Sequence, residues 1–366
     1  MQFVLCDKDL RSLLPVDMFT TAIWTERFSD SGDAELHIPA IITLDPDTGE
    51  ARLSRDIFKE DYFLVNPESD SPMIITLAET KTDVEDGPEC IVTAKTYDSV
   101  LHRRIIWTQT VLENVTPHEA VKRLLMENAI SPSDPSRVIP RLTFVDNPTL
   151  AASTTKISVQ FTGDDLFDAI KAICDSVNIG FKCILNNDIF EFHLYEGTNR
   201  TRNNLSVPFV EFSDEYDNVI NSDYIETKEN LKTVTLVAGE GEGIDRKTTV
   251  VAIDSGAGSG LDRRELYTDA RDISSTIDGG TLTPAQYTEQ LAQRGKEKLA
   301  ENIITKMFDC ETPKYGNFQF NVDYFLGDIV SYCNEYGIET EARVIEYIQS
   351  HDSNGEEAYP TFAVVE

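Results

Sequence analysis

The sequence predicts an α+β fold, mainly β, with a barrel-like β region at each end of the chain and an α/β insertion between them. Three observations carry this. Short runs of β-branched and aromatic residues, cut by turn-forming clusters, fill residues 1 to about 107 and return from about 206 onward. Amphipathic helical patterns cluster between those stretches. Hydrophobic residues make up 40% of the chain and charged residues 26%, which is enough to bury cores over 366 residues. The expected units are therefore 1–107, 108–205 and 206–366.

The first unit reads as strands at Phe19 to Arg27, Ala34 to Pro39, Tyr62 to Val65, Met73 to Thr82 and Glu89 to Lys95. Ser29-Asp30-Ser31-Gly32-Asp33 forms a turn. Asp83 to Pro88 reads as a hairpin loop. Short strands separated by turns suggest a barrel or sandwich. Tyr97 to Trp107 begins as a short helix that closes the unit.

The second unit opens on the clearest helix. Thr116-Pro117-His118-Glu119 has the spacing of a capping box, with Pro at the first helical position. Ala120, Val121, Leu124 and Leu125 form its apolar stripe, and it should end near Asn128 before the Pro- and Ser-rich loop Ser131 to Pro140. A second helix follows Thr162-Gly163-Asp164-Asp165. Its apolar face is Leu166, Phe167, Ile170, Ile173, Cys174 and Val177, and Asn178-Ile179-Gly180 should end it with Gly left-handed. Phe181 to Leu185, the turn Asn186-Asn187-Asp188, and Ile189 to Tyr195 read as a hairpin.

In the third unit, Thr233 to Val237 and Thr248 to Ile253 flank a glycine-rich loop. One helix runs from Thr283-Pro284 to about Ala300. Phe318 to Val322, Ile329 to Tyr332, Thr340 to Gln349 and Thr361 to Val365 complete the strand set.

Charge excludes some functions. Asp plus Glu is 64 against 32 Lys plus Arg, a net charge of −32. Such a surface repels nucleic acid and anionic membrane. The only tight basic clusters are Arg103-Arg104 and Arg263-Arg264. The six cysteines (Cys6, Cys90, Cys174, Cys183, Cys310, Cys333) show no CxxC spacing, so they read as free, mostly buried thiols of a protein assembled in a reducing cytoplasm. Met1 to Asp7 lacks a basic leader pattern, and no stretch reaches transmembrane length.

No motif completes a catalytic or metal site. Val250 to Ile253 before Asp254-Ser255-Gly256 looks like half of an aspartic-protease loop. That chemistry needs two carboxylates about 3 Å apart, and no second Asp-Thr/Ser-Gly exists, so the segment reads as a flexible loop. Gly239-Glu240-Gly241-Glu242-Gly243 misplaces the third glycine of a dinucleotide fingerprint, and its glutamates would repel a pyrophosphate. It reads as a turn. Glu60-Asp61 and Glu85-Asp86 have the residue type of glycosidase acids, but adjacent acids are expected by chance among 64. Asp45-Pro46-Asp47-Thr48-Gly49-Glu50 is the nearest approach to a calcium loop and makes a better β-turn. His37, His102, His118, His193 and His351 form no i, i+4 pair, and His193 reads as half-exposed packing. Gly258-Ser259-Gly260 is too short for a nucleophile elbow. The expected catalytic, metal and cofactor residues are none.

Five stretches, in order, resemble the siphophage tail-tip baseplate hub family. Trp24 to Ile38 holds an aromatic-rich strand and then Gly32-Asp33-Ala34-Glu35-Leu36, similar to its "G-[DE]-x-E-[LF]" strand. Ala94 to Ile106 resembles the segment ending in Leu-x-Arg-Arg-Ile. Asp165 to Phe181 resembles the "L-x-D-A-I" helix, Leu194 to Arg200 the strand end before "G-x-[DN]-R", and Tyr324 to Val330 the "x-L-G-D-x-V" turn.

The resemblance implies a hub like that of contractile-tail baseplates. Three copies would give a ring of six barrel-like regions around a DNA channel. It implies contact with a distal tail protein, the tape-measure protein and a receptor-binding or fibre protein, DNA passing without specific binding, and location at the virion tail tip. It carries over no catalytic residue. Many members bear a C-terminal fibre or hydrolase extension, whereas this sequence stops at Glu366, which predicts a hub without that module. Two rival readings are a cell-wall polysaccharide hydrolase and a carbohydrate-binding tail adhesin.

Overall fold

The computed structural model describes all residues except 46–48, 84–86, 220, 278–279, 313–315, 334–335, 338, 354 and 366, and all other side chains except those of 44, 45, 83, 221 and 305. The Asp45 to Glu50 turn and the Asp83 to Pro88 loop therefore lie partly outside the described residues.

The N-terminal region contains β1 (Phe3–Cys6), β2 (Ser12–Val16), β3 (Thr21–Arg27), β4 (Asp33–Pro39), β5 (Ile41–Asp45), β6 (Glu50–Leu53), the helical turn α1 (Ser54–Ile57), β7 (Phe63–Val65), β8 (Met73–Asp83) and β9 (Gly87–Thr96). A 3-10 helix, Tyr97–Arg103, closes it. In β4 the even positions Ala34, Leu36 and Ile38 are buried, which fixes one face on the core with Phe3, Leu5 and Trp24.

The middle region contains β10 (Thr110–Val115), α2 (Pro117–Leu125), β11 (Leu142–Val145), α3 (Pro148–Ala151), β12 (Ile157–Phe161), α4 (Leu166–Ser176), β13 (Gly180–Asn186) and β14 (Ile189–Tyr195). The Thr116 hydroxyl accepts the Glu119 N–H at 3.1 Å, and α2 runs on into a π turn, Met126–Ile130. β13 and β14 form the expected hairpin, with Asn187 and Asp188 both left-handed (φ 47° and 63°), as a two-residue I′ turn requires. β11 joins β14 in parallel.

The C-terminal region contains β15 (Glu211–Ser213), β16 (Asn221–Thr227), β17 (Val234–Ala238), β18 (Thr248–Ala252), β19 (Glu265–Asp269), β20 (Thr276–Ile277), β21 (Gly280–Thr281), α5 (Pro284–Ala300), β22 (Thr305–Glu311), β23 (Ile329–Cys333), β24 (Glu339–Asp352) and β25 (Gly355–Val364). α5 starts on a full reciprocal capping box between Thr283 and Gln286. It covers one face of the small sheet β18-β17-β19, with Tyr287 and Leu291 against Val237.

The mainly-β α+β class is borne out. The barrel-like regions are open, however. Thirteen strands from both ends of the chain share one sheet, in the order β16-β22-β25-β24-β3-β4-β9-β8-β7-β1-β2 with β23 and β15 branching from β24. β24 is the connecting strand. Its first half pairs with β23 and its second half with β3, while β25 runs along its other side.

Two local expectations are corrected. Phe318 to Val322 is not a strand: Asn321 is left-handed (φ 64°), Asp323 accepts the Gln319 N–H, and Phe320 stacks on Tyr347 at 3.8 Å as a cover for the sheet. After α4 it is Asn178 (φ 55°), and not Gly180, that is left-handed. Gly180 begins β13. β1, β2, β10, β11, β12, β15, β16 and β22 go beyond the strands read from the pattern.

Candidate functional site

β3 ends at Arg27, opposite Glu346, and the next residue meets an irregularity in β24 between Val344 and Glu346. There the Phe28 N–H donates to the Ile345 carbonyl at 2.9 Å, and the Phe28 carbonyl accepts the Phe181 N–H of β13 at 3.1 Å. The Phe28 ring is buried among C-terminal residues although it belongs to an N-terminal segment. Tyr195 meets it edge-on at 5.5 Å, and the Arg343 guanidinium lies 5.3 Å from its centroid. Two glycines make room. A Cβ on Gly180 would sit 2.4 Å from the ring, and one on Gly327 (φ 87°) 2.3 Å from it. This close approach, rather than helix termination, is why residue 180 is glycine.

Beside Phe28 lies Asp328, whose carboxylate is buried. It accepts the Thr198 N–H at 2.7 Å, the Arg200 Nε at 2.7 Å and the Phe325 N–H at 3.1 Å. Its backbone carbonyl accepts the Val344 N–H at 2.9 Å. Gly197 packs so tightly here that a Cβ would overlap the Gly327 carbonyl. Segment 198–200 is held to Ile329 by backbone bonds of 3.0 and 2.7 Å.

On the other side of Phe28, the Gly32 N–H donates to the Thr96 hydroxyl at 2.8 Å, and that hydroxyl donates to Asp98 at 2.8 Å. Burial pushes the Asp98 carboxyl up to about 7, outweighing its hydrogen bonds. Arg27 binds Glu346 at 2.5 Å, the Ser31 carbonyl at 2.8 Å and also Asp33. Further along the same segment, the Arg104 carbonyl accepts the Leu166 N–H at 3.0 Å and so docks the start of α4.

The five stretches that carry the resemblance thus line one continuous zone of contact between the three regions. Its chemistry is that of hydrogen bonding, packing and ion pairs, those of Arg27 with Glu346 and Asp33 and the more buried one of Arg200 with Asp328. Each stretch was readable on its own, but their convergence was not, because the partners lie more than a hundred residues apart, as Thr198 and Asp328 do.

The other residues weighed in the sequence fall outside this zone. Asp254-Ser255-Gly256 forms a turn after β18, closed by a 2.8 Å bond from the Gly256 N–H to the Ile253 carbonyl. In the loop Gly239 to Gly243, Glu240 accepts from Ser274 and from the backbone and hydroxyl of Ser275 at 2.6–2.9 Å. Although burial acts the other way, these donors and Lys247 hold its carboxyl at about 2. Asp61 bridges Lys8 at 3.0 Å and Arg103 at 2.6 Å. Glu85 and Asp86 lie outside the described residues. His193 pairs with Glu191 at 3.1 Å, half-buried as expected, and His351 lies 3.3 Å from Glu356. His37 sits 2.9 Å from both Glu35 and Glu89. His118 is buried and accepts the Asn147 N–H at 3.1 Å. Cys6, Cys90, Cys174, Cys183 and Cys310 are free and buried.

One grouping escaped motif reading. His102, Asp165 and Asp168 bring ligand-type atoms within 4.8 Å of one another, although His102 and Asp165 lie 63 positions apart in the sequence. Asp165 is the N-cap of α4 and accepts the Phe167 and Asp168 N–H groups at 2.9 and 3.1 Å, so helix capping accounts for its position.

An open, mostly-β sheet spanning both chain ends, with an α/β region docked at one junction, is the fold of phage tail proteins. The 43 kDa tail protein of prophage MuSo2 from Shewanella oneidensis superposes with a TM-score of 0.57 at 12% identity, over 100% of this chain and 98% of that one. The tail protein from Neisseria meningitidis MC58 gives 0.56 at 13%, covering 99% and 96%. Prophage tail protein gp18 from Listeria monocytogenes EGD-e gives 0.53 at 11%, covering 99% and 94%. No curated protein matches the chain by sequence. The chain belongs to the family described as Siphovirus ReqiPepy6 Gp37-like protein, whose sequence pattern matches residues 3–362. The siphophage resemblance is thereby borne out.

Proposed function

We propose that this chain is a structural baseplate hub subunit of a siphophage tail tip, acting without catalysis. One observation carries the reading: β24 pairs with β3 and β23 at once, so both strand-rich ends of a copy form a single wall. Three copies would place six strand-rich segments around a three-fold axis and enclose a passage for DNA, matching a six-fold tail tube. Residues 1–107 and 206–366 are the two hub units in this proposal, and 108–205 is the outer α/β unit.

The partners are a distal tail protein, the end of the tape-measure protein and a receptor-binding or fibre protein. DNA passes without specific binding. Three copies would carry about −96, so a lumen lined by acids lets the duplex slide. Among the described residues no helix is long and apolar enough to cross a membrane. The place of action is the virion tail tip, after assembly in the host cytoplasm. Five free, buried cysteines accord with a reducing compartment.

The test is particle mass together with negative-stain images, with and without the neighbouring tail-tube ring. The expected result is a trimer with a central opening and acids concentrated on its wall. A neutral or basic wall, an assembly with no opening, or a monomer that persists even beside the ring overturns the reading.

A further inference from the structure

One pocket breaks the charge pattern of the molecule. Acidic residues outnumber basic ones 64 to 32 overall. Yet the cavity between the N-terminal and middle regions, about 510 Å³, sets Lys8, Arg103, Arg104 and Arg141 against only Asp9 and Asp61. Its floor is aromatic: Tyr97 stacks on Phe190 with centroids 3.5 Å apart, and Phe63 lies 5.3 Å from Phe190. Asp61 is already shared by Lys8 and Arg103, and Asp9 reaches Arg141 only at 4.0 Å.

Arg104 donates to carbonyls alone, Nε to Arg137 at 2.7 Å and Nη1 to Arg103 at 2.8 Å. Burial and the neighbouring Arg137 and Arg103 guanidiniums lower its pKa. Surplus positive charge over an aromatic floor suits an apolar side chain flanked by carboxylates. The remaining wall, Ile74, Val100, Ile139 and Pro140, offers a glycan little to hydrogen-bond.

The chain itself presents such a segment. Between β17 and β18 a turn projects Ile244, which is 101% exposed, with Glu242 and Asp245 exposed on either side. The base of the turn is fixed: Arg246 Nε donates to the Gly239 carbonyl at 3.0 Å, and the Tyr287 hydroxyl accepts the Glu240 N–H at 2.8 Å. Its apex rests on Gly241 and Gly243, both left-handed (φ 95° and 55°). The comparable turn at Leu261 is also exposed, but Arg263 and Arg264 follow it and would meet the pocket's arginines.

We propose that the Gly243–Asp245 turn of one copy docks in this pocket of a second copy, Ile244 on the aromatic floor and Glu242 and Asp245 toward Arg104 and Arg141. Pocket and turn are different surfaces, so the contact is head-to-tail, the kind that generates a ring when its rotation closes. The inference rests on the trimeric reading above and specifies one of its interfaces.

Sedimentation velocity on the full chain tests it, beside the tail-tube ring protein where the chain alone stays monomeric. Ile244→Asp and Arg104→Glu should each weaken self-association about tenfold, and Arg104→Glu combined with Glu242→Arg should restore it. Ile244 is solvent-exposed, so its variant keeps the fold even if Arg104→Glu does not. Wild-type association in the Ile244→Asp chain, or no rescue by the charge swap, overturns this inference and leaves the trimer standing. Loss with Arg104→Glu alone, and none with Ile244→Asp, assigns the pocket to another occupant and overturns it too. A chain that stays monomeric beside the ring overturns both.

Discussion

Asp328 concentrates the junction's energetics in one side chain. Its carboxylate satisfies two backbone N–H groups and the Arg200 guanidinium in a buried setting. Asp328→Ala leaves Arg200 and the Thr198 N–H without that acceptor, and is expected to cost about 3–5 kcal/mol, read as a lower urea midpoint. A midpoint within error of wild type would show that segment 198–200 is not held through this residue. Asp98 and Glu297 supply a pH signature. Burial raises both carboxyls to about 7 from ordinary values of 3.8 and 4.5. Between those limits the folded chain holds protons that the unfolded chain has released, so these groups lower stability as pH rises from about 4.5 to about 7. Asp98→Asn should therefore gain on wild type with rising pH across that window. Equal slopes in paired urea titrations would exclude the effect. At this scale the sequence was partly legible: Asn178-Ile179-Gly180 marked a helix end correctly, but the reason residue 180 is glycine lay in a phenylalanine 152 positions away, a contact invisible to local pattern.

The elements were the most legible level. α2, α4, α5 and the β13–β14 hairpin stand where their caps, stripes and turn residues put them, because those signals are local and each has one physical meaning. The α5 cap gives a direct check. Thr283→Ala removes the acceptor for the Gln286 N–H and one half of the reciprocal pair. It should destabilise the chain by about 1 kcal/mol, measured by thermal or urea unfolding, while Pro284→Ala at the first helical position should change little. Phe318 to Val322 misled because apolar residues that cap a sheet alternate much like residues within one. β22 and β16 escaped for the opposite reason: partners at Phe308 and Tyr224 reveal themselves only once the strands pair.

For the whole molecule, the sequence disclosed strand-rich ends around a helical middle but not that the ends share a sheet, because β3 and β24 lie over three hundred residues apart. That pairing makes a prediction. Residues 1–107 expressed alone would expose the β3 edge that β24 covers, an unpaired ladder of N–H and C=O groups that invites other chains. The fragment should aggregate or self-associate in light scattering. A stable soluble monomer would mean that the N-terminal unit manages without its partner strand.

The strand β24 also bears on what a tail protein must withstand. A tether joining the two ends would flex under tension, whereas an unbroken strand with neighbours along both sides passes a pull directly through its covalent backbone. Bending at that seam would require breaking ladder bonds at Phe28, Arg27 and Gly327 together. In the three-copy ring proposed above, any widening of the central passage would then come from subunits sliding past one another, with each wall moving as a stiff stave.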